Sequence, residues 1–275
     1  MKNKLARFVV LLSMFSLCAC TNANSNNSNS NNSNSEPVEE DKEYNVLFVG
    51  NSFTYYNSLD VLVKNIASNI NIKMKTKRYA VGSHTLLEDA DPNDSLGSQI
   101  QADLKNTQYT DVVLQDKSNY PYNHYKDFDS GVSSMVDIIN KSQKNARISL
   151  YETWGYNSDN LTQPIPEIES TIRSNTKQVG RKYNLNVVYV GQAFTYIYEN
   201  YPSVNLYSSD NKHPSYAGSF LAALVFVASL SGKHVSNVTY QGEEGQVNAE
   251  GHTTYINKST LDILISTAEN VVFPK

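Results

Sequence analysis

Past position 20 the chain contains no cysteine; its two, Cys18 and Cys20, both stand in the opening stretch of 275 residues. A folded domain without a thiol pair takes its stability from its core, even in an oxidising compartment. Positive charge is also scarce. Lys and Arg number 23 against 27 Asp and Glu, for a formal net charge of −4 and a pI near 5.7. That leaves no basic surface of the kind that holds a phosphate backbone and argues against nucleic acid as a partner. Long hydrophobic runs are missing too. "FVVLLSMFSL" near the N-terminus is too short and wrongly flanked for a spanning helix. "AGSFLAALVFVASLSG" is also shorter than a span and carries three serines, which reads as a helix buried against a sheet. The five histidines are scattered without ligand spacing, so neither a metal nor another cofactor is expected. Forty per cent apolar residues suffice for a core.

Lys2, Lys4 and Arg7 precede the first apolar run, the pattern of a secretory signal. Its end, Leu17, Cys18, Ala19 and Cys20, resembles the bacterial lipobox, in which cleavage leaves the cysteine as residue one and its thiol takes a diacylglycerol. Residues 1–19 are then a signal peptide and Cys20 the lipidation site; an ordinary signal peptide with incidental cysteines is the alternative. Residues 20–43 continue as an Asn/Ser-rich, then acidic, linker with nothing apolar to bury. A polar coil of about 20 residues spans roughly 25 Å root-mean-square, enough to hold a domain off a membrane, and two acyl chains supply stable anchoring. The expectation is a secreted protein whose only membrane contact is an N-terminal lipid anchor on the outer face of a bacterial cell. Abundant Asn, Lys and Tyr with little Ala suggest a Gram-positive source.

From Tyr44 to the end, apolar or alternating runs recur between longer helical patterns, which points to one α/β domain over residues 44–275 with a mainly parallel sheet. Five strands are predicted at 45–50, 71–82, 111–115, 147–152 and 186–191. The first, third and fifth are continuous apolar runs, as expected where helices cover both faces. In the second, Lys73, Lys75 and Lys77 alternate with Ile72, Met74 and Thr76, a device that protects an edge strand. The predicted order is therefore the flavodoxin-like 2-1-3-4-5, with the end of strand one at the topological switch point where such sheets bind ligands. Helices are predicted near 58–69, 96–105, 129–142, 165–184, 215–230 and 259–270.

Strand one runs into Gly50, Asn51 and Ser52. A tight turn there projects the Ser52 hydroxyl over the sheet edge while its N–H points from a helix N-terminus, supplying a nucleophile and an oxyanion donor together. A plain N-cap is the competing role. A serine needs a base, and the base needs an orienting carboxylate. "SSDNKHPSYAGSF" offers both in Asp210 and His213, three residues apart in a loop that opens the apolar helix. Asp210 can hold one ring nitrogen and leave the other facing a serine, and the adjoining helix dipole keeps the ring neutral. Here again, a capping role for either residue is the alternative.

Together these residues resemble the SGNH (GDSL-type) serine hydrolases. Gly50-Asn51-Ser52 matches the family's first motif and Asp210-Asn211-Lys212-His213 its last, in the right order across nearly all of the domain. The resemblance implies a three-layer α/β/α fold, the triad Ser52, His213 and Asp210, and hydrolysis of an ester through an acyl-enzyme. It also implies two further oxyanion donors. Gly82 matches the glycine after strand two. After strand three the sequence departs from the family pattern, with Gln115 in "VVLQDKSNYP" where most members carry an asparagine. Gln115 has the same carboxamide on a longer stem, and Asn119 is the other candidate. Asn51 removes a charge from the first motif but no catalytic group, and both Asn51 and Asn119 are possible substrate contacts.

Tyr120, Tyr122, Trp154 and Tyr156 are expected on the same rim, where aromatic faces stack sugar rings; packing loops down is their commoner use. The favoured substrate is a short acyl group, such as acetyl, on a carbohydrate or cell-wall glycan, with lipid and small-molecule esters open. A non-catalytic surface protein that binds glycans or solutes on the same scaffold is the main alternative, and a phosphate cradle at "GNS" is a weaker one. His84 could line the cleft but fits a surface role better; His124, His234 and His252 carry no functional expectation.

Overall fold

The computed structural model describes residues 42–158 and 161–274. The signal segment, Cys20 and the Asn/Ser-rich linker lie outside the described residues, apart from its last two, Lys42 and Glu43.

Five parallel strands form one sheet: β1 (Tyr44–Gly50), β2 (Met74–Ala80), β3 (Asp111–Leu114), β4 (Arg147–Glu152) and β5 (Asn186–Tyr189). Their order is β2-β1-β3-β4-β5, as the lysine-striped second strand required. Along each strand alternate residues enter opposite layers, the period of two that a pleated strand imposes. Val46, Phe48, Val113, Tyr151 and Val188 face one core, with helices Leu59–Asn69, Tyr216–Ser231 and Lys258–Val272. Leu47, Val49, Val112, Leu114, Ile148 and Leu150 face the other, with helices Ser95–Asn106 and Tyr125–Ser142. The result is a three-layer α/β/α sandwich. Helix Tyr216–Ser231 is buried nearly all round, starts on the Ser215 cap and stops at left-handed Gly232. Among the described residues, no helix is long and apolar enough to cross a membrane.

Besides the short unpredicted helices Leu86–Ala90 and Tyr120–Asn123, three features depart from the sequence expectation. Strand two begins at Met74 and ends at Ala80, inside the predicted 71–82. Strand five ends at Tyr189, and the apolar run continues as an unpredicted helix, Val190–Asn200. No local residue caps that helix; Glu152 at the end of β4 accepts from the N–H of Gln192 instead (3.2 Å). A long-range cap leaves no local signal. The third feature is an antiparallel pair, β6 (Gly242–Val247) and β7 (Thr253–Tyr255). Its "GEEGQV" strand is almost wholly exposed, so it lacks the apolar alternation by which strands are recognised.

Candidate active site

β1 ends on Gly50 because nothing larger fits. A Cβ there would lie 2.5 Å from Thr54 Oγ1 and 2.7 Å from Gln115 Oε1. Asn51 then leaves the strand and caps the helix Ser52–Tyr55, its side chain accepting from the Phe53 N–H. Ser52 is thus the first helical residue, with its N–H among the unpaired donors of the first turn. The cap belongs to Asn51, not to Ser52.

Ser52 Oγ lies 2.9 Å from His213 Nε2, and His213 Nδ1 lies 2.5 Å from Asp210 Oδ2. The two ends of the domain, 161 residues apart in sequence, meet at this point. The Asp210 loop is held by its own carboxylate: Oδ1 accepts from Ser208 Oγ (2.7 Å), the Lys212 N–H (3.0 Å) and the His213 N–H (2.9 Å). Partial burial opposes ionisation, but these bonds and the one from His213 outweigh it and hold Asp210 well below the usual carboxylate range. A permanently charged Asp210 requires the proton on His213 Nδ1, which leaves Nε2 to accept from the Ser52 hydroxyl.

Aromatic packing fixes the ring. Tyr56 stacks on His213 with centroids 4.2 Å apart and planes at 8°, and Phe53 meets it edge-on at 5.7 Å. Behind Phe53 stand Trp154 (4.4 Å, 11°) and then Phe194 (4.2 Å, 8°), a stacked column. Trp154 was expected as a substrate contact on the rim, and the structure corrects this. The indole is fully buried, and its Nε1–H donates to the Lys212 carbonyl beside His213 (3.0 Å). Tyr156 is likewise buried, its hydroxyl paired with Ser118 (3.0 Å). Burying both rings secures more apolar contact than a rim position could. Tyr122 packs against the core, while half-buried Tyr120 stacks on His124 (4.7 Å).

The expected oxyanion donors separate. The β1–β2 register ends where Gly50 pairs with Ala80, and the Val81 N–H donates to the Gly50 carbonyl (3.3 Å), which leaves exposed Gly82 two residues past the last paired position. A Cβ at Gly82 would meet the Tyr55 hydroxyl at 3.3 Å. Gln115 takes a different position from the one expected. It is 1% exposed and its Oε1 accepts from the Asn51 N–H (3.0 Å) and from Thr54 Oγ1 (2.8 Å), while Nε2 donates to the Asp116 carbonyl. Gln115 is a strut behind the Ser52 turn: its Oε1 is shared by two donors, and one of its two Nε2 hydrogens is spent on the Asp116 carbonyl. Asn119 donates to Asn123 Oδ1 (3.2 Å). Asn51 is buried, and its Nδ2 donates to the carbonyls of His84 (3.0 Å) and Asp116 (3.2 Å), which removes it as a substrate contact.

That turn backs onto two buried acids. Asp116 Oδ1 accepts from the N–H groups of Leu86 (2.9 Å) and Lys117 (2.7 Å); burial outweighs these bonds and lifts its carboxyl to about 7. Asp89 is lifted to about 7 by the same cause, against the hydrogen bond from His84 Nδ1 (3.2 Å). Among the described residues no group of His, Cys, Asp and Glu is arranged to hold a metal ion.

Sequence reading missed Tyr56 and Phe53, four residues and one residue from Ser52. An aromatic at the spacing of one helical turn from the serine was the available signal. Asn57 and His252 were missed as well, and nothing local marks them.

No family model and no curated protein matches the chain. Solved structures do. A protein of Slackia heliotrinireducens, provisionally classed as an SGNH hydrolase, is 24% identical with a TM-score of 0.60, over 69% of this chain and 100% of that one. A DUF4886 family protein from Bacteroides uniformis aligns over 85% and 96% at 15% identity with a TM-score of 0.71. An acetylxylan esterase from Geobacillus stearothermophilus aligns over 67% and 92% at 16% identity with a TM-score of 0.51. The fold of this chain is therefore the SGNH hydrolase fold.

Proposed function

We propose that the protein is a serine esterase that removes a short acyl group, acetyl in the first instance, from a carbohydrate or cell-wall glycan. The observation that carries this is the unbroken chain from Ser52 Oγ through both nitrogens of His213 to the Asp210 carboxylate. A hydroxyl 2.9 Å from an imidazole nitrogen whose other nitrogen is held by a carboxylate is an activated nucleophile.

In this reading Ser52 Oγ attacks the ester carbonyl carbon while its proton passes to His213 Nε2. Asp210 stabilises the imidazolium that forms. The tetrahedral oxyanion is met by the N–H of Ser52, at the open end of its helix, and by the N–H of Gly82. Collapse expels the alcohol, which takes the proton from Nε2. Water, deprotonated by the same nitrogen, then attacks the acyl-enzyme, and the acid leaves with Ser52 restored. The preference for acetyl esters of glycans draws on the polar, tyrosine-rich surroundings of the triad and on the acetylxylan esterase among the solved structures of this fold. A lipid anchor on Cys20 would hold the enzyme on the outer face of the cell, within reach of such polymers.

The test is hydrolysis of p-nitrophenyl acetate and of acetylated oligosaccharides by a protein starting near Glu36, beside Ser52→Ala and His213→Ala. Turnover that falls to background in both folded variants is the expected outcome. An inert wild type would assign the site to binding without catalysis, and a Ser52→Ala protein that keeps its rate would refute Ser52 as the nucleophile.

A further inference from the structure

Asn57 plays no part in the chemistry above, yet its side chain joins three separate segments. Its Nδ2 donates to the carbonyls of Pro214 and Ser215 (both 3.1 Å) and to Ser219 Oγ (2.8 Å). Its Oδ1 accepts from Asn248 Nδ2 (2.5 Å) and His252 Nδ1 (2.7 Å). The first group follows His213 directly, the second belongs to the tip of the β6–β7 hairpin, and Asn57 itself lies five residues after Ser52. Asn57 and Ser58 also adopt left-handed backbone, each at φ 52°. Two such residues in succession, neither of them glycine, persist only where the surroundings over-determine them.

The strands of the hairpin supply little of that anchoring: β6 is almost wholly exposed, with Val247 at 62%. Its tip nevertheless reaches the site. The His252 ring lies 6.5 Å from the Tyr56 ring, which covers His213. Residues 250–253, with Tyr207, Ser208 and Tyr216, also wall a cleft of about 520 Å³ next to the Asp210 loop.

We propose that Asn57 is a positioning residue, resting on the esterase reading above: it locks the Ser52 turn to the His213 segment and clamps the hairpin tip as a wall of the site. With the amide removed, Ser52 and His213 remain on two segments with fewer bonds between them, and Tyr56 loses the support of its neighbour. A displacement of 1 Å at a nucleophile costs on the order of 100-fold in rate.

The experiment compares wild type with Asn57→Gly, Asn57→Asp and the hairpin variant His252→Phe, using kcat and KM on p-nitrophenyl acetate and hydrogen exchange over 242–255. Asn57→Gly accommodates the left-handed backbone while removing the whole side chain and every bond its amide makes. A kcat reduced at least tenfold at unchanged KM, with faster exchange in the hairpin, is expected. Asn57→Asp, which keeps the acceptor but loses all three donor bonds, should not rescue. Folded Asn57→Gly protein with kcat within twofold of wild type and unchanged exchange overturns the proposal. If Asn57 variants do not fold, His252→Phe carries the test: faster hairpin exchange with kcat lowered severalfold supports it, and unchanged values of both overturn it. If wild type proves inert, the esterase reading fails by itself. The clamp is then read from hairpin exchange and from the Ser52 Oγ–His213 Nε2 distance in an Asn57→Gly crystal structure, where no change in either overturns it.

Discussion

Replacing Gln115 by methionine separates two roles that one carboxamide could play. The side chains are close in volume, so packing is preserved, and what is removed is hydrogen bonding alone. Two buried groups lose their partner, the Asn51 N–H and the Thr54 hydroxyl, while the Asp116 carbonyl keeps its bond from Asn51 Nδ2. Each orphaned buried group costs about 1–3 kcal/mol. The Thr54 hydroxyl can rotate towards another acceptor, so a total of about 3 kcal/mol is the working figure. For a domain of this size each kcal/mol lowers Tm by about 2–4 °C, a drop of roughly 6–12 °C. Urea unfolding of Gln115→Met, Thr54→Val and the double variant measures it. Thr54 and Gln115 share a bond, so the double variant should be more stable than the sum of the singles by about 1 kcal/mol or more. An oxyanion donor behaves otherwise, with its loss lowering kcat by about 100–1,000-fold and barely touching stability. Gln115→Met with wild-type stability and a kcat reduced on that scale would refute the strut and restore Gln115 to the oxyanion site.

Two further predictions concern the support of the same turn. Asp116 carries a carboxyl raised to about 7 by burial, so the fold prefers it protonated. Its contribution is fully present below the unfolded value of 3.8 and is lost as pH rises through 7. At about 1.36 kcal/mol per pH unit the loss approaches about 4 kcal/mol by pH 8. Asp116→Asn should therefore be more stable than wild type at pH 8 and nearly equal at pH 3.5; parallel curves of unfolding free energy against pH would contradict this. Trp154→Phe keeps the stacked column but removes the donor to the Lys212 carbonyl. Stability should fall by about 2–3 kcal/mol, from the lost bond and the cavity left in the core, and kcat several-fold with KM unchanged, whereas a selective rise in KM for oligosaccharides would return the indole to the substrate.

The sheet was legible because its signals are local and periodic. Continuous apolar runs required two covered faces, and a lysine-striped strand could only be an edge. Ser52, Asp210 and His213 could be singled out because each sits at a chain reversal with a chemical reason to be there. What stayed hidden depends on partners far away in sequence. Helix Val190–Asn200 is capped by Glu152, forty residues earlier. The β6–β7 hairpin has no apolar face and is clasped by Asn57. Trp154 could serve as a platform for sugar or a pillar for a loop, since an indole suits both; only the positions of Phe53, Phe194 and Lys212 made it a pillar. Gln115 had the right group for an oxyanion, but the missing side chain of Gly50 left the space into which it folds back. Sequence by itself determined the layers, the strand order and which groups could react, because period and residue chemistry are written locally. Tertiary structure alone decided which groups meet and which serve as struts, because the fate of a buried polar group is set by whatever the fold places within about 3 Å of it.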